Sequence, residues 1–252
     1  MNCIFISVRS NSKRLPQKAT LNICGIPTIE FLIRNLKRSK FADEIVLCTT
    51  QESPDNILCD IATRCQIKYH RGSTEDKLLR WKSACKEYGV DFFVNVDGDD
   101  LFFDYSLADL VFQQHKKDRA DFIDGRGLYN DVYGISSKGI ETVCNNKSNN
   151  DTEFIKVYFD SIKNLIKTQK LVNVPIKYHK KNIRMTLDYQ EDLDFFTTII
   201  KHFKINNLEI SFDAILNFLK DNPSIVQINW HKEQNWKNNQ DKMINKIKEK
   251  GV

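Results

Sequence analysis

Three apolar runs constrain the fold of this chain more than any other feature: Cys3-Ile4-Phe5-Ile6-Ser7-Val8, Glu44-Ile45-Val46-Leu47-Cys48-Thr49-Thr50 and the run over residues 91–96. A strand that is apolar on both faces belongs inside a parallel sheet covered by helices, not at a solvated edge. The intervals between the runs fit that reading. Residues 27–39 place Ile29, Leu32, Ile33 and Leu36 on one helical face. Ser53-Pro54-Asp55 reads as a helix start, with Pro at the first helical position, and that helix extends to about residue 65. Residues 66–70 read as a short strand and 74–87 as a helix. The pattern predicts an α/β fold, a Rossmann-like, mostly parallel sheet built from right-handed βαβ units. Ligands of such sheets bind beyond the carboxyl ends of the strands. Four polar segments converge there: the loop after the first strand, Thr49-Thr50, Arg71-Gly72-Ser73 and Asp97-Gly98-Asp99-Asp100.

The second half is less regular. Helices are expected at 105–117, 152–168, 190–203 and 211–220, and strands near 121–124, 131–136, 171–176 and 183–187, as a small α+β extension. Asn145–Asn150 reads as a polar loop. The organisation expected is one domain over 1–230 and a basic helical tail over 231–252, solvated and peripheral from about 236. That tail holds six Lys against three acidic residues, and so carries three of the five net positive charges. No basic stripe with interleaved aromatics is visible, so nucleic acid is not an expected partner. No apolar run approaches the length of a membrane span, and the first run is too short for a signal-peptide core. A cytoplasmic location is therefore the expectation. The seven cysteines contain no C-x-x-C pair, which predicts free thiols and no metal centre of that type.

Three constellations carry chemistry. Arg9-Ser10-Asn11-Ser12-Lys13-Arg14-Leu15-Pro16-Gln17-Lys18 gathers four cations in ten residues, a composition suited to a polyphosphate. A solvated basic loop has the same composition, but the position directly after the first strand favours a site. Asp97-Gly98-Asp99-Asp100 crowds carboxylates that repel unless a cation holds them; Mg²⁺ with phosphate oxygens would do so, and an acidic turn is the bland reading. In Arg184-Met185-Thr186-Leu187-Asp188-Tyr189-Gln190-Glu191-Asp192, Asp188 ends an expected strand and Gln190-Glu191-Asp192 opens a helix, and taken alone the motif reads as N-terminal capping.

Taken together, these segments resemble the cytidylyltransferase family of spore-coat polysaccharide biosynthesis proteins, related to CMP-Kdo and CMP-sialate synthetases. The family's A-R-x-x-S-x-R-L-P-x-K is matched at Arg9, Ser12, Arg14, Leu15, Pro16 and Lys18. Gly25-Ile26-Pro27, Asp43-Glu44-Ile45-Val46, Thr49-Thr50, Asp55, Arg71-Gly72-Ser73, Asp76, Arg80 and Gly98-Asp99 follow in register, then Arg184, Thr186, Asp188, Glu191 and Asp192, and a closing Asn222-Pro223 to Ile228-Asn229. The resemblance implies a GT-A-like nucleotidyltransferase fold that joins CMP from CTP to a small-molecule, sugar-like acceptor and releases pyrophosphate. It implies a CTP-binding half over 1–104 and an acceptor half over 105–230 that brings the second metal ligand. Arg9, Arg14 and Lys18 would hold the CTP phosphates, Ser12 would add a hydrogen bond, and Asp99 and Asp188 would hold Mg²⁺. Thr50, Arg71, Gly72 and Ser73 would surround base and ribose, with Asp76 and Arg80 as a supporting pair. A homodimer is implied on the same ground.

The chain departs from the family pattern where Leu101 replaces a proline and where Asp97 and Asp100 replace uncharged residues, and Glu153-Phe154-Ile155-Lys156 keeps only the glutamate of E-H-V-T. These changes bear on the acceptor more than on the reaction. Two other readings stand beside this one: a glycosyltransferase binding a nucleotide sugar through Asp97-Gly98-Asp99, and a nucleotide-binding homologue without turnover.

Overall fold

A computed structural model describes residues 1–179 and 182–249. The first half runs β1 (Asn2–Ser7), a two-strand ribbon of β2 (Asn22–Ile23) and β3 (Ile26–Pro27), α1 (Thr28–Leu36), β4 (Glu44–Thr50), α2 (Asn56–Arg64), β5 (Lys68–Gly72), α3 (Lys77–Tyr88) and β6 (Phe92–Asp97). It continues through α4 (Tyr105–Asp118), β7 (Phe122–Gly125), β8 (Val132–Ser136), α5 (Ser137–Asn146), α6 (Ile155–Ser161) and β9 (Thr168–Lys170). Four helices close the chain: α7 (Gln190–Ile205), α8 (Phe212–Asp221), α9 (Pro223–Trp230) and α10 (Lys232–Glu249).

Seven strands make one sheet in the order β5-β4-β1-β6-β8-β7-β9. The first four are mutually parallel, β8 runs against β6 and β7, and β9 is parallel to β7. The expected extension therefore continues the main sheet. Period-two alternation sorts each central strand between two cores. Ile4 and Ile6 of β1, Leu47 of β4, and Phe92 and Val94 of β6 face the core covered by α1, α2, α4 and α7. Cys3 and Phe5, Val46 and Cys48, and Phe93 face the core covered by α3, α5 and α6. On that second side Phe5 stacks on Phe93 at 4.3 Å and Trp81 meets Phe93 edge-on, contacts worth about 0.5–1.5 kcal/mol each beyond their buried area.

Local chemistry fixes the loops that carry the site. Cys24 and Gly25, at φ 53° and 84°, turn β2 into β3 in the mirror-image turn that hairpins favour. The ribbon folds the basic loop back over the sheet, and Thr28 Oγ1 donates to the Lys18 carbonyl. Gly98 lets the end of β6 press on the end of β1. A Cβ at that position would lie 2.7 Å from Val8 Cβ and 2.8 Å from Cγ2.

Four expectations are corrected. The segment 183–187 is irregular where a strand was expected: its alternation serves to bury Met185 and Leu187, and the Leu187 amide donates to the Asp99 carbonyl at 3.0 Å. The strand expected at 171–176 is replaced by β9, which ends at Lys170. The helix expected over 152–168 is confined to Ile155–Ser161. A helix over Ser137–Asn146 was not anticipated, although Ser136 caps it by accepting from the Gly139 amide at 2.9 Å.

Candidate active site

The carboxyl ends of β1 and β6 open into a cleft of about 1510 Å³. The centre of its floor is Lys18. Its Nζ lies 2.6 Å from Asp99 Oδ2 and 2.7 Å from Asp188 Oδ1, so one ammonium joins a carboxylate from the β6 loop to one from the approach to α7. Arg14 Nη2 donates to the same Asp188 oxygen at 2.5 Å. Burial opposes the charge on Lys18, but Asp99 and Asp188 outweigh it and raise its pKa. Burial likewise pushes Asp188 upward; Lys18 and Arg14 override it and hold the carboxyl at about 2. Asp99 moves the other way, raised by burial and by the neighbouring Asp188 and Asp97 against the pull of Lys18.

Asp188 is anchored from behind. Arg184, with 1% exposure, reaches Asp188 Oδ2 at 3.3 Å, Asp192 Oδ1 at 2.8 Å and Glu233 Oε2 at 3.3 Å. Asp192 also accepts from the amides of Asp188 and Tyr189 at 2.8 and 2.9 Å. The capping reading of this motif is thus correct for Asp192, while Asp188 faces the cleft.

A second buttress lies beneath β6. Trp81 Nε1 donates to Ser7 Oγ at 2.8 Å, Ser7 Oγ to Asn95 Oδ1 at 2.9 Å, and Lys77 Nζ lies 2.7 Å from Asp97 Oδ1. Burial would raise the Asp97 pKa, but Lys77 outweighs it and keeps the carboxyl low. Asp97 is thereby committed to Lys77, while Lys18 is shared by Asp99 and Asp188. Asp100 is pushed well up by burial and by Asp99 and Asp97.

The basic loop divides the site. Arg9 lies 3.4 Å from Glu153 across the cleft. On its other side Arg9, Asn11 and Ser12 border a smaller recess of about 580 Å³ with Thr50, Asp55 and Thr74. Asp55 ties this recess together: its carboxylate accepts from the Ser10 amide at 2.7 Å, Thr49 Oγ1 at 2.7 Å and the Thr50 amide at 3.0 Å. Burial would raise the Asp55 pKa, but a hydrogen bond from Thr50 Oγ1 at 2.5 Å, together with those from Ser10, Thr49 and the Thr50 amide, holds it below the ordinary carboxylate range.

The other expected residues divide between lining and support. Arg71 braces the recess from outside, donating to the carbonyls of Thr50 and Glu52 at 3.0 and 2.9 Å. Gly72 packs under Arg80, where a Cβ would meet Arg80 Cγ at 2.9 Å, and the Ser73 carbonyl accepts from Arg80 Nη1 at 2.7 Å. Arg71, Gly72 and Ser73 border neither cavity, whereas Arg80 lines the cleft. Arg80 Nε is buried and has no hydrogen-bond partner among the described residues. Asp76 and Arg80 do not pair as expected. Asp76 caps α3 through the Leu79 amide, accepts from Thr152 Oγ1 at 2.9 Å and pairs with Lys147 at 2.6 Å.

Sequence reasoning missed Lys77, which fixes Asp97, and the packing of α10, a helix expected there but as a solvated tail. The helix begins at residue 232 and is not peripheral: Glu233, Trp236, Gln240, Met243 and Ile244 line the cleft, and Ile247 is 1% exposed in the second core. A seven-residue repeat, Glu233, Gln240 and Ile247, with Trp236 and Ile244 between, was the available signal. Residues 250–252 of the expected tail lie outside the described residues.

A mostly parallel α/β sheet with a cationic loop folded over carboxylates from the β6 loop and from the approach to α7 is a nucleotidyltransferase-like arrangement. More narrowly, the chain belongs to the cytidylyltransferase family, whose model matches residues 3–227. An uncharacterized protein of Methanocaldococcus jannaschii is 30% identical over 232 residues, covering 89% of this chain and 93% of that protein. The spore coat polysaccharide biosynthesis protein SpsF of Bacillus subtilis is 22% identical over 230 residues, covering 87% of this chain and 94% of SpsF. Among solved structures, a cytidylyltransferase from Leptospira borgpetersenii superposes with a TM-score of 0.80 at 26% identity, covering 90% of this chain and 96% of that one. Among the described residues, no helix is long and apolar enough to cross a membrane.

Proposed function

We propose that the chain transfers CMP from CTP to a sugar-like acceptor with release of pyrophosphate. The observation that carries this reading is Lys18, held between Asp99 and Asp188 with Arg14 on the same carboxylate. An acceptor oxygen attacks the α-phosphorus in line, the bond to the bridging oxygen breaks, and pyrophosphate leaves with the electron pair. The protein's part is positioning and charge stabilisation. Arg9, Arg14 and Lys18 hold the triphosphate, and Lys18 offsets charge that gathers around the α-phosphorus. Ser12 hydrogen-bonds a phosphate, and the unpaired Arg80 Nε suits an anionic oxygen at the cleft floor. The smaller recess beside Thr50 takes the base and ribose, with Arg71 as its support, while Gly72 and Ser73 hold Arg80 at the cleft.

The donor set also fits Mg²⁺. Asp99 and Asp188 supply two hard carboxylate oxygens that converge within 2.7 Å of Lys18 Nζ. Mg²⁺ suits such a site, because it binds through one or two carboxylates together with substrate phosphates. The ion would supply further neutralisation of phosphate charge. The family and the name of the B. subtilis relative favour CTP and a role in surface polysaccharide or glycoconjugate synthesis. A cytoplasmic homodimer is the proposed setting. Asp97 is drawn to Lys77, which weighs against a glycosyltransferase that would use Asp97 and Asp99 together. Thermal unfolding with Mg²⁺ present is the test, since a ligand at 100 times its Kd stabilises by about 2.7 kcal/mol. CTP is expected to raise Tm above the level reached with ATP, GTP or UDP-glucose. A larger shift with UDP-glucose would overturn the assignment.

A further inference from the structure

The family match ends at residue 227, yet the cleft has a wall built from later residues. Helix α10 presents one stripe to the protein: Glu233 and Ile247 are buried, Trp236, Gln240 and Ile244 half-buried, and the positions between them exposed. Both ends of the stripe are fixed. Glu233 reaches the Arg184 guanidinium at 3.3 Å, and that guanidinium lies 5.5 Å from the Trp236 ring centroid. At the other end Ile247 enters the core beside α3, α5 and α6. Trp236 and Gln240 lie between these anchors, on the same cleft as Asp131, Tyr133 and Lys156.

We propose that α10 is the outer wall of the acceptor subsite and that Trp236 and Gln240 determine which acceptor is used. This rests on the cytidylyl-transfer reading. The chemistry of the walls points to a polyhydroxylated ring. An indole offers a flat apolar surface to ring C–H groups, while the Gln240 amide, Asp131 carboxylate and Tyr133 phenol supply donors and acceptors for hydroxyls. The smaller recess, where the base is placed, has no α10 residue in its lining. Substitution at 236 or 240 therefore affects the acceptor and leaves the base and ribose subsite intact.

Two measurements test this. Pyrophosphate release is followed with CTP, Mg²⁺ and a panel of 3-deoxy-manno-octulosonate, N-acetylneuraminate, ribitol 5-phosphate and glycerol 3-phosphate. Trp236→Ala and Gln240→Ala are expected to raise the KM of the accepted compound about tenfold or to shift preference within the panel, while the KM for CTP stays within about twofold. An unchanged acceptor KM and preference in both variants would overturn the proposal. The second measurement needs no turnover. Gln240→Cys and Asn238→Cys proteins are labelled with a charged maleimide, and peptide mass spectrometry reads each site separately from the native thiols. Labelling at 240 is expected to be several-fold slower than at the exposed 238; equal rates would overturn the proposal. A wild-type protein silent on the whole panel counts against the cytidylyl-transfer reading, and the labelling ratio then decides the wall by itself.

Discussion

Lys18 Nζ sits 2.7 Å from Asp188 Oδ1, although residue 18 lies in the loop after the first strand and residue 188 at the approach to α7. The same Lys18 nitrogen reaches Asp99, and the same Asp188 oxygen accepts from Arg14. These contacts tie the basic loop to both acidic segments. Each segment has a bland explanation when taken alone, and their meeting at one nitrogen does not.

Asp188→Asn removes the charge that three cations share. Breaking a buried ion pair on one side costs about 3–5 kcal/mol, so wild type should exceed the variant by about that amount in urea unfolding at neutral pH. The Asp188 pKa is depressed to about 2 in the folded protein. Its stabilisation is therefore present above the unfolded value of about 3.9 and is lost as pH falls through the folded value. The stability gap should narrow below about pH 4.

Gly98→Ala should lower transfer activity more than stability. Its Cβ would enter the space of the Val8 side chain and separate the ends of β1 and β6, which carry Arg9 and Asp99. Adding Val8→Gly removes both atoms in the way, Cβ and Cγ2, so the double variant should recover much of the lost kcat/KM. The cycle is read from pyrophosphate-release rates of the four proteins, and additive losses would count against the close approach as the cause.

Arg184→Met leaves Asp188, Asp192 and Glu233 without their shared guanidinium. A loss of about 3–5 kcal/mol is expected by urea unfolding. Glu233→Gln keeps a hydrogen-bond acceptor for Arg184 and leaves Asp188 and Asp192 in place, so it should cost distinctly less.

Asp55→Asn should weaken CTP binding without touching the cleft itself. An amide in that position cannot accept every hydrogen bond that the carboxylate takes from Ser10, Thr49 and Thr50, and a bond to a charged group is worth about 1.5–3 kcal/mol. Isothermal titration with CTP should show reduced affinity, together with a lower Tm of the free protein.

The sheet was legible because its central strands are apolar on both faces, and the basic loop because Arg9, Arg14 and Lys18 follow the first of them. What escaped has a physical reason in each case. Ile183, Met185 and Leu187 alternate as a strand would, yet the Leu187 amide is satisfied by the Asp99 carbonyl and not by a sheet partner. Asp76 and Arg80 have ion-pair spacing on a helix, but Asp76 occupies the cap position and turns to Lys147. Helix α10 looked solvated because its lysines outnumber its apolar residues. The Trp236, Ile244 and Ile247 stripe shows its function only once a cleft is there to receive it.

The central claim is that Lys18, with Asp99 and Asp188, forms the site of CMP transfer. It is tested most directly by pyrophosphate release from CTP with Mg²⁺ and the acceptor panel, comparing wild type with Lys18→Ala and Asp99→Asn. Wild type is expected to turn over, and each variant to lose about 10²–10³ in kcat, the scale of removing one group that stabilises transition-state charge. Near-normal turnover in both variants would contradict it.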